Sequence, residues 1–321
     1  MDKKSSDSLS DKITADFDED LYTAVWMAII ARRHLMVSSP DIVRTQTEIE
    51  GIIRSTWNAQ DVLTIRCDSS TTFESLCSLL INPTKEDAVR SVALVTGLEQ
   101  TTEETQIQMA EMLRTEQFVL ENRHFKAPHD LFTIIAVIEA RNNRETELAK
   151  PLMQRLWFRQ PHVPVELGGD SSLTSGSSSG FSMGRGTVLS ESALLEKVLL
   201  MRKKVSSVTI VPEIRRYLYD IIVYTRLHRM VVGGVATFVI RDLEEFMRAI
   251  CVVNDYEYCI PSVVKIAVRK LLPMRIQVLQ KAENEPTLQW GSDIRLVQEM
   301  IMRWNADFIV EDVLNHVQPP I

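Results

Sequence analysis

Apolar residues recur at helical spacing between Asp18 and Arg33, with Leu21, Val25, Ala28 and Ile29 on one face. Short apolar runs then alternate with amphipathic stretches. His34–Ser38 reads as a strand, and Pro40–Trp57 as a helix with Ile49, Ile52, Ile53 and Trp57 along one stripe. Val62–Cys67 reads as a strand, and Phe73, Leu76, Cys77, Leu80 and Ile81 follow the 3, 4, 7, 8 spacing of an amphipathic helix. Ser91–Thr96 is an apolar run of the kind buried on both faces of a parallel sheet. Glu103–Arg114 is helical, Gln117–Glu121 and Lys126–Asp130 flank a turn, Leu131–Ile138 is the most apolar strand, and a helix spans Glu145–Phe158. Alternation of this kind predicts an α/β sandwich with a mainly parallel sheet between helix layers.

The pattern changes after Leu167. Leu167–Gly186 is rich in Gly and Ser and buries too little apolar surface to order itself. Beyond it the periodicity is helical: Glu191–Lys204, Pro212–Arg229, Ile240–Val253, Pro261–Gln280, Asp293–Trp304 and Phe308–Val317. Pro212 and Pro261 suit first-turn positions, and Gly233-Gly234 breaks the chain. The expected organisation is a disordered acidic tail over 1–17, an α/β domain over 18–165, a linker over 166–190 and an all-helical domain over 191–321.

Composition narrows the function classes. The chain has 321 residues, 45% of them hydrophobic, and a formal net charge of −7, which gives no global footprint for nucleic acid or membrane. Residues 1–189 hold 19 Lys/Arg against 27 Asp/Glu, and the remainder 17 against 16, so the acidic excess sits in the first half. Cys67, Cys77, Cys251 and Cys259 form no C-x-x-C pair and are expected as buried, reduced thiols. The polar, acidic start resembles no targeting peptide, no apolar run is long enough to span a bilayer, and the expected location is cytoplasm or nucleus.

Nucleotide chemistry would belong between the first strand and its helix. That segment reads His34-Leu35-Met36-Val37-Ser38-Ser39-Pro40-Asp41, with neither glycine nor lysine. Phosphate binding needs backbone N–H groups converging on the anion, a close approach only glycine permits, and a lysine for the outer phosphates. Here Ser39 is placed to cap the helix, Pro40 to start it and Asp41 to add a carboxylate to its first turn, where negative charge opposes an anion. A magnesium-holding acid would end Ser91–Val95, yet Thr96-Gly97-Leu98-Glu99 follows. Glu99 is expected to cap the following helix or face water. No catalytic, cofactor-binding or metal-binding residue is assigned, and no cofactor is expected.

Val95-Thr96-Gly97-Leu98-Glu99, Phe132-Thr133-Ile134-Ile135-Ala136-Val137 and Pro151-Leu152-Met153-Gln154-Arg155-Leu156-Trp157-Phe158 resemble, in order, the Walker B strand, sensor-1 strand and arginine-finger helix end of a AAA+ module. Val211–Arg229, Gly233-Gly234 and Pro261-Ser262-Val263-Val264-Lys265 resemble the helical lid of the magnesium-chelatase branch. The C-terminal third, from Trp290-Gly291-Ser292-Asp293 to Val313–Ile321, is similar to a chelatase-related family of telomere-capping proteins of budding yeasts. The resemblance implies an AAA+-like αβα sandwich with a lid, Arg155 as an arginine finger acting on a neighbouring subunit, and Asn142 or Asn143 at the sensor position. It also implies a role in telomere capping or a connected fungal process.

The expected function is therefore a non-catalytic AAA+-like scaffold that binds other proteins, with no membrane partner. Three alternatives stay open. One is a divergent chelatase-like ATPase, and one is a subunit lending Arg155 to an active partner ATPase. The third is a nucleic-acid module using the basic lid face, where Lys197, Arg202, Lys203, Lys204, Arg215, Arg216, Arg226 and Arg229 outnumber Glu196, Glu213 and Asp220. Pairing within the chain or solvation is the expected fate of those charges, and Arg215 with Arg226 is the pair to test. His124 and His129, five apart, lack a third metal ligand. His34 and His228 are expected at the core or its boundary, and the serines of 171–182 as a spacer.

Overall fold

The computed structural model describes residues 18–56, 62–82, 88–128, 131–141, 144–145, 148–164 and 191–320. The expected tail over 1–17, the linker over 166–190, Trp57, His129, Asn142, Asn143 and the serines of 171–182 lie outside the described residues. The chain divides into two compact units, Met1–Lys203 and Lys204–Ile321.

The first unit is the expected α/β layer structure. Helix α1 (Glu19–Ala31) starts at Asp18, whose carboxylate accepts from the Asp20 amide at 3.1 Å, and ends where Arg32 turns left-handed at φ 54°. Strand β1 (His34–Ser39) is buried along its whole length. There follow α2 (Ile42–Thr56), β2 (Val62–Arg66), α3 (Phe73–Leu80), β3 (Val92–Thr96), α4 (Glu103–Thr115), a hairpin of β4 (Gln117–Leu120) and β5 (Arg123–Lys126), β6 (Thr133–Arg141), β7 (Arg144–Glu145), α5 (Lys150–Arg155) and β8 (Leu156–Pro161). The main sheet runs β2-β3-β6-β1-β8 with every pair parallel, and β7 adds antiparallel to β6. Parallel pairing buries both faces, which explains why Val92–Thr96 and Thr133–Ile138 are apolar without alternation.

Two expectations are corrected. The helix expected over Glu145–Phe158 spans only Lys150–Arg155: Glu145, in β7, pairs with Ala140, and Leu156, Trp157 and Phe158 enter β8 beside β1, with Leu35 opposite Phe158. The turn-like region before β6 is a hairpin, closed by stacking of Phe118 on Phe125 at 5.3 Å between ring centres.

The division between the two units falls at Lys203/Lys204, within helix α6 (Glu191–Ser207). The part of α6 in the first unit packs on α1. Arg202 donates to the carbonyls of Ile30 at 2.8 Å and Ile29 at 3.1 Å in the last turn of α1, where the Ile29 carbonyl also accepts from the Arg32 amide at 3.2 Å. Lys197 lies 5.9 Å from the centre of the buried Trp26 ring.

The second unit is helical, as expected. It holds α7 (Pro212–Leu227), a short pair β9 (Val231–Val232) and β10 (Gln277–Val278), and helices α8 (Phe238–Val253), α9 (Pro261–Leu271), α10 (Ile294–Arg303) and α11 (Ala306–His316). Pro212 and Pro261 occupy first-turn positions. The helix expected to reach Gln280 ends at Leu271, where Pro273 enters a 3-10 turn. Leu218, Ile221, Leu243, Phe246, Met247, Val264, Val268 and Ile309 form the core. Among the described residues, no helix is long and apolar enough to cross a membrane.

Candidate functional site

In an open parallel sheet, ligands settle beyond the carboxyl ends of the strands, where successive connections leave in opposite directions. Here that place is the end of β1, with β6 on one side and β8 on the other. Only Pro40 and Asp41 separate β1 from α2. The Ser39 hydroxyl is 3.2 Å from both the amide and the carbonyl of Asp41, and it accepts from the Thr45 hydroxyl at 2.7 Å. The Asp41 carboxylate accepts from the Arg44 amide at 3.1 Å, and the Asp41 carbonyl from the Thr45 amide at 3.2 Å. The helix cap is therefore Asp41, not Ser39, and Pro40 precedes the helix instead of starting it. Ser39 closes the turn from below. The expected consequence stands: the helix end is satisfied from within, with a carboxylate on it.

The turn also keeps the spacing of a phosphate loop without its glycines or lysine. Ser38 to Thr45 has the length of a G-x-x-x-x-G-K-[ST] loop, with Val43, Arg44 and Thr45 in the last three places. Arg44 supplies a cation at the lysine position, but its Nε is 3.3 Å from Asp41 Oδ2. Thr45, whose counterpart would hold magnesium, is fully buried and donates to Ser39.

The strand end that should carry a metal-holding acid is also filled. Thr96 is buried, and its hydroxyl points to the Ile65 carbonyl on β2 at 3.4 Å. Gly97 has φ +75°, and a Cβ there would lie 2.5 Å from the Cys67 carbonyl oxygen, so the backbone leaves no room for a side chain. Glu99 neither caps α4 nor simply faces water. Thr102 is the cap, and Glu99 Oε1 accepts from the Glu139 amide at the end of β6 at 3.3 Å. Its Oε2 is buried with no hydrogen-bond partner among the described residues. This turn does not fit a triphosphate: it has no glycine for a close backbone approach, and the Asp41 carboxylate takes both the Arg44 amide and the Arg44 guanidinium, the groups an anion would need. No group of three or more His, Cys, Asp and Glu among the described residues is arranged to hold a metal ion.

Beside this closed turn sits a residue that sequence reasoning missed. His162 follows β8, and its amide donates to the Ser38 carbonyl at 2.9 Å. Its side chain is 1% exposed, with Nδ1 2.9 Å from Asp18 Oδ2 and Nε2 2.6 Å from Glu48 Oε2. Burial pulls the imidazole pKa down, but the hydrogen bonds and charges of Asp18 and Glu48 outweigh it and raise the pKa. The partners lie 144 and 114 residues away in sequence, on α1's cap and on α2, so no local pattern points to them. His34 is the opposite case, a core histidine as expected. Burial, with Arg33, Arg32 and Arg155 nearby, lowers its pKa to about 4, and its Nδ1 accepts from the Ile134 amide.

Arg155 ends α5 and is exposed. It adjoins the start of β8, beside the His34 end of β1, so roughly 17 Å of strand separates it from Asp41. It cannot serve its own chain's turn. Much of the basic lid face is consumed internally, as expected. Arg215 pairs with Glu244 at 2.9 Å, Arg226 donates to the Val235 carbonyl at 3.0 Å, and Arg229 pairs with Glu285 at 3.0 Å. His124 is exposed on β5, and His228 packs against Trp304 at 5.0 Å.

No protein-family model matches the chain. Over 192 residues it is 26% identical to maintenance of telomere capping protein 2 of Saccharomyces cerevisiae, covering 53% of this chain and 54% of that protein. Over 105 residues it is 30% identical to the protein of the same name in Lachancea thermotolerans, covering 32% and 37%. The chain thus spans about half the length, or less, of the curated relatives it matches. In three dimensions it is similar to a crystal structure described as a "putative ATPase" from Cytophaga hutchinsonii, with a TM-score of 0.67, 14% identity, and coverage of 98% of this chain and 94% of that one. That likeness shows an ATPase-like fold.

Proposed function

We propose that this chain is a non-catalytic AAA+-like scaffold that works by binding other proteins, in telomere capping or a connected nuclear process. The process comes from the name its yeast relatives carry. The observation that carries the reading is the closed β1–α2 turn: Arg44 is tied to Asp41 and Thr45 to Ser39, so the groups that would meet a triphosphate are already paired. A ligand phosphate would have to displace a carboxylate from the same arginine while approaching that carboxylate. Exposed Arg155, far from this turn, supports the part of the reading in which the chain offers surface groups to a partner, including a partner ATPase.

The test is calorimetry of the full chain with magnesium-ATP, and with Asp41→Ala and Glu99→Ala. The expected outcome is no binding at micromolar ligand, where a Kd of about 1 µM corresponds to ~8 kcal/mol. Micromolar binding that either substitution abolishes overturns the reading. Magnesium-dependent phosphate release removed by Glu99→Gln establishes the divergent chelatase-like ATPase in its place.

A further inference from the structure

The last turn of α6 carries a charge pattern that the scaffold reading does not use. It reads Arg202-Lys203-Lys204-Val205-Ser206-Ser207, with Lys203, Lys204, Ser206 and Ser207 all exposed. Two lysines stand three and two residues before Ser206. That spacing suits a serine kinase whose substrate groove is lined with carboxylates, because the cations fix which hydroxyl meets the transferred phosphate. Ser207 is offset by one place from both lysines, and its hydroxyl donates to the Lys204 carbonyl at 2.7 Å. Arg32-Arg33, Arg215-Arg216 and Arg269-Lys270 are followed by no serine or threonine within three residues. Lys3-Lys4-Ser5-Ser6 repeats the spacing outside the described residues.

The hydroxyl is reachable because it lies at a helix end. The last carbonyls of a helix lack intrahelical partners, so its final turn opens before its middle. Anchors on both sides limit that opening. Upstream, Arg202 holds α6 to α1. Downstream, Val208 and Ile210 are buried, the Thr209 amide donates to the Glu257 carbonyl at 3.3 Å, and the Thr209 carbonyl accepts from the Cys259 amide at 3.1 Å.

We propose that Ser206 is a phosphorylation site for a lysine-directed serine kinase, and that its phosphate draws Arg202 away from α1. Arg202 precedes Ser206 by four residues on one helix, the separation at which side chains are neighbours. Its Nε donates to the Ile30 carbonyl at 2.8 Å and its Nη2 to the Ile29 carbonyl at 3.1 Å, both neutral acceptors. A phosphoserine offers the same guanidinium three oxygens and a charge of about −1.5 to −2 at pH 7. Charge-assisted bonds of this kind are roughly twice as strong as neutral ones, so the arginine changes partner. The transfer balances with ATP as co-reactant. The Ser206 Oγ attacks the γ-phosphorus, the Oγ–P bond forms, the bond from that phosphorus to the bridging oxygen breaks, ADP leaves, and the hydroxyl proton passes to the kinase's base.

The test incubates the folded full chain with magnesium-ATP and the purified catalytic subunit of cAMP-dependent protein kinase, then maps phosphate by peptide mass spectrometry. The expected result is phosphate on Ser206, absent from Ser206→Ala. In a Lys203→Gln/Lys204→Gln variant, kcat/KM at Ser206 should fall on the order of tenfold, mainly through KM. Hydrogen exchange then reads the second half of the proposal. The Arg32 and Arg33 amides, which donate to Ile29 at 3.2 Å and Ala28 at 2.9 Å, should exchange severalfold faster in the phosphorylated chain. In Arg202→Ala the same phosphate should change nothing there. Phosphate confined to Ser6, or none on Ser206 of the folded chain, overturns the site. Equal exchange with and without phosphate overturns the transfer of Arg202. If Arg202→Ala fails to fold, the wild-type comparison decides alone.

Discussion

Removing the His162 side chain tests the electrostatics around the closed turn. The imidazole is 1% exposed and touches a carboxylate at each nitrogen, Asp18 at 2.9 Å and Glu48 at 2.6 Å. Both ring nitrogens are donors only when the ring is protonated, so two acceptors on opposite sides select the imidazolium. A hydrogen bond to a charged group contributes about 1.5–3 kcal/mol. Asp18 and Glu48 are 36% and 29% exposed, so solvent screening places each bond at the low end. His162→Ala should therefore cost about 3 kcal/mol at pH 6, or ~6–12 °C in Tm for a unit of this size. The pH dependence has a definite sign. The folded pKa is raised above the unfolded value of about 6.5, so the contribution is complete below that pH and is lost as pH rises through the folded pKa. Urea melts between pH 6 and 9, followed by the buried Trp26 and Trp157 of this unit, should show wild type and variant converging as pH rises. His162→Gln, which cannot titrate, should run parallel to the alanine variant. A gap that stays constant across this range, or no gap at pH 6, refutes the reasoning.

Gly97→Ala should destabilise the first unit by about 2–4 kcal/mol, because it combines a left-handed residue with a Cβ 2.5 Å from the Cys67 carbonyl oxygen, and urea denaturation with an unchanged midpoint would contradict it. Arg215→Glu should lower the stability of the second unit by about 1 kcal/mol by facing Glu244 with a like charge. Scanning calorimetry showing no shift would mean that this pair is spectator chemistry.

The sheet was legible where burial on both faces leaves an unmistakable run, as in Val92–Thr96 and Thr133–Ile138. It was not legible at Leu156–Phe158. Leu148, Leu152 and Leu156 keep a spacing of four, so the helical pattern runs on into residues that pairing with β1 makes a strand. Local periodicity there lost to a long-range partner. The same holds for α6, plainly a helix in sequence, whose attachment depends on Arg202 reaching α1 carbonyls 172 and 173 residues earlier. At the candidate site, the closed turn was readable from Ser39, Pro40 and Asp41, but the choice of cap was not. Both Ser39 and Asp41 are good caps, and a shift of two residues in the helix start decides between them. His162 left no signal because its meaning lies in two carboxylates on other elements.

The closure of the crevice is distributed, and this bears on how it can be undone. Arg44 answers to Asp41, Thr45 to Ser39, Thr96 to Ile65 and Glu99 to Glu139, four separate pairings on α2, β3 and the turn after β3. Removing the Asp41 carboxylate frees Arg44 and lowers the negative charge at the helix end, yet it leaves Thr45 buried and supplies no glycine for a wider loop. Placing an acid after β3 meets the Cys67 carbonyl before it meets a metal. Each pairing is a local hydrogen bond or ion pair that contributes modestly to the fold. A ligand must break several at once, and their costs add where the sites are independent. Were a single pairing responsible, one substitution would open the crevice. With Arg44 and Thr45 tied at the start of α2, and Thr96 and Glu99 tied to β2 and β6, the closure is shared by separate elements, and opening one leaves the others in place.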